Sequence, residues 1–207
     1  IDLSALAHNL GVVRQYVPRS RIMAVVKADA YGHGLLHTAS ALKDVDGFAL
    51  LELDAAISLR DAGYQQPILL LEGFFSTEEL ALFEQYRLSA VIHHSEQIAM
   101  LSDSKHHNLD LFLKINTGMN RLGLAPEQFP QIMKALTDHP GIDSITLMTH
   151  FASADDPLEE DEVFQQLQYF EAITQNHKYP HSLANSAAII RYPVTHADWV
   201  RPGIMLY

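Results

Sequence analysis

Lys27 closes an apolar run, Ile22 to Val26, and is followed by a turn that holds Gly32 and Gly34. The run is rich in β-formers, so a buried strand delivers the lysine to a loop, which is where β/α proteins keep their chemistry. Partial desolvation of a lysine lowers its pKa and frees a neutral amine for Schiff-base chemistry with a carbonyl. Taken alone, a strand-end lysine that snorkels to solvent is the plainer account.

Later stretches repeat this arrangement of apolar run and polar loop. Arg121, in the glycine-bearing stretch Leu113 to Gly123, has the fork geometry to clamp an anion, although an exposed surface arginine is the commoner case. His150 falls just past the run that ends at Thr149; a lone histidine is more often structural than catalytic. Asn185 and Ser186 follow a short strand and can offer backbone N–H groups and a hydroxyl to a phosphate, after the seventh strand of a chain whose fold class binds phosphate there. Two other chemistries are weaker. Gly32, Gly34 and His37 form a GxGxxH string with Glu52 further on, but a dinucleotide turn needs a third glycine where His37 stands. His33 and His37 have metal-ligand spacing, yet neither His93-His94 nor His106-His107 provides a visible third ligand, and surface histidine is the better account of all of them.

The elements that must position these residues alternate along the chain. Ser4 is a candidate cap for a first helix, with Leu6, Leu10, Val13 and Val17 at helical spacing and Pro18 ending it. Strands are expected at 22–26, 48–50, 67–71, 89–92, 109–115, 142–149, 182–184 and 197–200. Helices are expected near 34–43, 55–62, 95–101, 126–137 and 163–176, and a further one should open at Ser76 with Glu79 completing a capping box. Apolar strands separated by helices predict an α/β fold with parallel strands, a closed (β/α)8 barrel of TIM type; an open doubly wound sheet is the alternative. The acidic run Asp155 to Glu162 suits a loop and first helical turn and is given no chemistry.

The chain of 207 residues is 48% hydrophobic, which fits a single domain, 1–207, at the short end for such a barrel. With 14 basic and 25 acidic residues its net charge is −11, which offers no footprint for nucleic acid or an anionic membrane surface. The absence of cysteine removes disulfide and thiolate-metal chemistry and fits a reducing cytoplasm. No apolar run reaches the ~18 residues of a membrane span. A start at Ile1 and a finish inside the apolar run 203–207 suggest a piece excised from a longer protein.

The stretch VVKADAYGHG around Lys27 resembles the lysine motif of the alanine racemases, and LKINTGMNRLG, THFA, ANSAA and WVRPGI follow in the family's order. That resemblance implies a pyridoxal 5'-phosphate cofactor held covalently by Lys27. It further implies that the Tyr31 and Ser186 hydroxyls, Asn185 and the backbone amides of Gly203 and Ile204 surround the phosphate. Arg121 would contact the phenolic oxygen, His150 would lie beside the ring, Arg201 would meet the pyridine nitrogen, and Lys114 would be carbamylated to hold Arg121. An arginine at the ring nitrogen makes a weaker electron sink than a carboxylate partner, which favours simple proton transfer at Cα. The implied reaction interconverts L- and D-alanine with Lys27 as one base. The other base, in the family, is a tyrosine of a C-terminal β domain from the partner subunit of a homodimer, so a fragment lacking that domain should racemise poorly. A non-catalytic pyridoxal-phosphate carrier barrel is the alternative reading.

Overall fold

The computed structural model describes residues 1–102 and 108–207. His106 and His107 lie outside the described residues. In chain order the elements are α1 (Leu3–Tyr16), β1 (Arg21–Val25), α2 (Lys27–Gly32), α3 (Leu35–Ala41), β2 (Gly47–Leu50), α4 (Leu53–Asp61), β3 (Ile68–Leu70), α5 (Glu79–Gln85) and β4 (Ser89–Ile92). They continue with α6 (Ser95–Ser102), β5 (Leu109–Lys114), α7 (Phe129–Thr137), β6 (Ile142–Met148), α8 (Glu160–Thr174), β7 (His181–Ser182), α9 (Ser186–Arg191) and β8 (Trp199–Val200). The strands close into a barrel in sequence order, β1 to β8, and every pairing is parallel, including β1 with β8 through Arg21 and Trp199. The expected (β/α)8 barrel is the observed fold.

Two helix starts differ from expectation. Ser4 lies inside α1, and the cap is Asp2, whose Oδ1 accepts from the N–H groups of Ser4 at 2.9 Å and Ala5 at 3.2 Å. A carboxylate at that position satisfies two orphan donors and suits the positive end of the helix. Likewise α5 opens at Glu79, three residues after Ser76, because Glu79 folds back to accept from the Phe75 N–H at 2.7 Å. Boundaries elsewhere shift by a few residues; β7 is His181–Ser182 against the expected 182–184, and β8 is Trp199–Val200 against the expected 197–200.

The barrel interior is a separate apolar cluster of Met23, Val25, Ala49, Leu69, Val91, Phe112, Met148 and Trp199. Side chains alternate along a strand, so the residue two places beyond each of these also points inward, at the C-terminal mouth. That rule aims Lys27, Lys114, His150 and Arg201 at one point, because they follow Val25, Phe112, Met148 and Trp199 by two residues. The larger cluster, with Phe48, Phe83, Phe129 and Phe170, seals the outer strand faces against the helices.

The segment expected to be a loop after Lys27 is one turn of left-handed helix. Ala28, Asp29, Ala30 and Tyr31 have φ between 51° and 54°. None is glycine, and each non-glycine residue in that region costs roughly 1–2 kcal/mol, so the surrounding structure must stabilise the turn.

Candidate active site

At the C-terminal mouth of the barrel is a cavity of ≈ 380 Å³ whose lining includes Lys27, Tyr31, Lys114, Arg121, His150, Asn185, Ser186, Arg201, Gly203 and Ile204. Every residue singled out from the sequence as a site residue therefore reaches one cavity. Against a chain charge of −11, the lining carries four cations, Lys27, Lys114, Arg121 and Arg201, and two acids, Glu72 and Asp155.

Arg201 is buried, and among the described residues no carboxylate pairs with it. Its Nη1 donates to Ser182 Oγ at 2.6 Å, and its Nη2 donates to the carbonyls of Thr149 at 2.7 Å and Leu183 at 3.1 Å. Nη2 also lies 3.3 Å from His150 Nδ1. Among the described residues nothing accepts from Nε, so the remaining donor edge belongs to the cavity that Arg201 lines. Burial pushes its pKa down to about 9, which still leaves a cation at neutral pH. His150 is pushed down to about 2, first by burial and then by Arg201, Lys114, Arg121 and Lys27.

Lys114 is 5% exposed, and burial together with Arg201 and Arg121 lowers its pKa to about 8, with Glu72 acting in the opposite direction. About a tenth of its amine is thus uncharged at neutral pH, far more than for a solvated lysine. Arg121 is exposed, on a loop organised by Asn116, whose Oδ1 accepts from the N–H groups of Gly118 at 3.2 Å and Asn120 at 3.1 Å. Gly123 closes that loop at φ +134°, where a Cβ would sit 2.7 Å from the Asn116 nitrogen.

The opposite wall is polar and tightly fitted. Asn185 caps α9, its Oδ1 accepting from the Ala188 N–H at 3.0 Å, so its side chain serves the backbone. Ser186 Oγ accepts from the N–H of Gly203 at 2.9 Å and from that of Met205 at 3.4 Å. Gly203 permits the Tyr31 hydroxyl to approach, since a Cβ there would stand 2.5 Å from it. Lys27 is half-buried two residues past the end of β1, and burial raises the pKa of the Tyr31 phenol.

Several participants carry no motif. Leu51 and Leu71 line the cavity, and the alternation that points Ala49 and Leu69 inward would have found them. Glu72 lines it too, fixed by Gln97, whose Nε2 donates to the Glu72 carbonyl at 3.1 Å, and by His93, whose ring lies 3.0 Å from the same oxygen. Asp155, from the acidic run given no chemistry, reaches the cavity, while Glu160, Asp161 and Glu162 form the first turn of α8. His33 and His93 are half-buried and bonded to backbone carbonyls, so surface histidine describes His37 and His94 but not these two. Buried Gln166 accepts from the Ala152 N–H at 3.0 Å, and Thr117 Oγ1 lies 2.7 Å from Thr149 Oγ1, which ties the Arg121 loop to the end of β6. No pattern in the sequence distinguishes Gln166 from other helix residues.

Fold and site together define a parallel (β/α)8 barrel with a lysine- and arginine-lined cavity at its C-terminal mouth. The model of the alanine racemase N-terminal domain matches residues 1–207, and the chain belongs to that family. The alanine racemase of Nitrosospira multiformis is 60% identical over the whole chain, which covers 58% of that relative. The catabolic alanine racemase of Klebsiella aerogenes is 47% identical with the same coverage. Among solved structures, biosynthetic alanine racemase from Pseudomonas aeruginosa superposes with a TM-score of 0.93 at 42% identity, covering all of this chain and 58% of that one. Alanine racemase from Acinetobacter baumannii gives 0.91 at 38%, with 62% of its chain covered. The chain thus spans a little under two thirds of the relatives it matches.

Proposed function

We propose that residues 1–207 form the cofactor-binding barrel of a pyridoxal-phosphate-dependent alanine racemase, a homodimeric cytoplasmic enzyme in which a C-terminal β domain follows the barrel. The observation that carries this reading is the convergence of all ten sequence-selected residues on one cavity. The donor set suits the cofactor's chemistry. A cationic pocket in an acidic chain favours an anionic group. The Tyr31 hydroxyl packed against Gly203, with Ser186 beside it, forms a close-fitting cradle for a phosphate. Arg201 has a donor edge toward the cavity for a ring nitrogen, and Lys27 presents an amine.

When bound, pyridoxal phosphate supplies the electron sink that acidifies the Cα–H of an attached amino acid. Lys27 would hold it through Nζ and, once an incoming amine frees it, would take or return the proton at Cα on one face. Arg201 is fixed by neutral acceptors and stays charged, so it orients a ring nitrogen without giving it a proton. His150 supports Arg201 as a neutral acceptor. Lys114 supplies an amine open to carbamylation, and the carbamate would hold Arg121 toward the phenolic oxygen. Racemisation needs a second base on the other face, which we assign to a tyrosine of the β domain contributed by the partner subunit.

The test is Cα–H exchange by the full-length protein in D2O with L- and with D-alanine. Deuterated alanine of both configurations is expected from either substrate. Cofactor uptake without any exchange would point to a carrier.

A further inference from the structure

The left-handed turn from Ala28 to Tyr31 decides where two cavity groups stand, since Lys27 precedes it and Tyr31 ends it. Backbone bonds account for part of its stability: Ala30 N–H donates to the Val26 carbonyl at 3.0 Å, and Gly34 N–H donates to the Asp29 carbonyl at 3.0 Å. The Asp29 side chain adds a bond from the Leu35 N–H at 2.7 Å. These fix the start of the turn and the following helix. Its last residue, Tyr31, is held differently: its carbonyl lies 3.0 Å from His33 Nδ1, with the Ala30 carbonyl 3.2 Å from the same nitrogen. Carbonyls only accept, so Nδ1 carries the proton.

The His33 ring also packs 4.9 Å from the Tyr207 ring, which lies 4.8 Å from the Tyr31 ring and is anchored by its hydroxyl to the Val25 carbonyl at 3.2 Å. His33 does not line the cavity, so it touches none of the reacting atoms.

We infer that His33 is a positioning residue, whose Nδ1–H holds the Tyr31 carbonyl and thereby sets the Tyr31 hydroxyl in the cavity opposite Gly203. The inference rests on the proposed cofactor site and concerns affinity for its phosphate end. Tyr31 has little freedom, because its hydroxyl already meets the Gly203 Cα region, so a small rotation of the turn carries the hydroxyl out of register. His33 therefore acts through Tyr31, not beside it.

The test is a cycle of pyridoxal-phosphate affinities, read by absorbance titration, for His33→Phe and His33→Asn, each in the native and the Tyr31→Phe background. His33→Phe keeps a ring against Tyr207 and removes the donor; the expected loss is roughly five- to tenfold in Kd. His33→Asn places an amide donor near the position of Nδ1 and should recover binding to within about twofold of native. In the Tyr31→Phe background the His33→Phe loss should shrink to below about twofold, because the group through which it acts is gone. Equal losses in both backgrounds, no loss, or no recovery with Asn overturn the inference. Should His33→Phe fail to fold, the 15N shifts of the native His33 ring decide: a proton on Nδ1 supports the role and a proton on Nε2 overturns it. Native protein that takes up no cofactor at all overturns the functional reading first, and this inference with it.

Discussion

His150 Nδ1 lies 3.3 Å from Arg201 Nη2, and a guanidinium has only donors, so the imidazole accepts there and keeps its own proton on Nε2. Burial and the neighbouring cations keep the imidazole neutral, while the buried guanidinium stays charged, which fixes one protonation pattern for the pair. The cavity thus faces a fixed cation backed by a neutral ring.

That pairing predicts an acid-labile fold. The pKa of His150 falls from 6.5 in a solvated chain to about 2 in the folded protein, so the unfolded state binds the extra proton first. The stabilisation is fully present above 6.5 and is lost as pH falls below it. His150→Gln retains an acceptor for Arg201 but cannot titrate. Urea melts of this variant should show a shallower loss of stability between about pH 6 and pH 4 than the native protein, and parallel curves would contradict the assignment.

Lys114 predicts the opposite limb. Its pKa drops from 10.5 to about 8, so the penalty for a buried ammonium is full below the lower value and fades as pH rises toward the upper one. In buffer stripped of carbon dioxide, Lys114→Met should be about 2 kcal/mol more stable than native at about pH 7, the gain shrinking at about pH 10. With 13C-bicarbonate, the native protein should show a carbamate carbon resonance that Lys114→Met lacks. A resonance of equal intensity in both would remove Lys114 from that role.

Gly203→Ala would place a Cβ 2.5 Å from the Tyr31 hydroxyl. The clash should cost about 1–3 kcal/mol of stability and weaken pyridoxal-phosphate binding at least roughly tenfold, measured by melting and absorbance titration. In Gly203→Ala/Tyr31→Phe the missing oxygen should restore most of the stability. Failure to do so would mean that the contact is not what requires glycine.

Much of this arrangement is legible in the sequence, and the reason is alternation. The runs Val25-Val26-Lys27, just past β1, and Phe112-Leu113-Lys114, at the end of β5, bring a charged residue to the parity of a buried one, and only a barrel mouth or a sheet edge can accommodate it. The left-handed turn is not legible, because alanine at 28 and 30 is the strongest right-handed helix former and no glycine or asparagine among residues 28–31 signals positive φ. Beyond the local bonds of Asp29 and His33, which form only once the turn exists, its packing partners Tyr207 and Gly203 lie roughly 170 residues or more away in the chain. Gln166 and Glu72 are hidden for a similar reason: their roles are bonds to neighbouring loops that exist only once the barrel has closed. The expected caps Ser4 and Ser76 do not form: the Asp2 carboxylate two residues upstream of Ser4 reaches the orphan N–H groups of α1, and Glu79 turns back to the Phe75 N–H instead of boxing with Ser76.

The central claim is that Lys27 carries the cofactor, and it has a direct measurement. Full-length protein incubated with pyridoxal phosphate and reduced with borohydride should yield, on peptide mass analysis, a pyridoxyl adduct on the peptide containing Lys27, with little on Lys114. The adduct should be absent in folded Lys27→Ala. A folded native protein with no adduct at Lys27, or with the adduct at Lys114, would contradict the account.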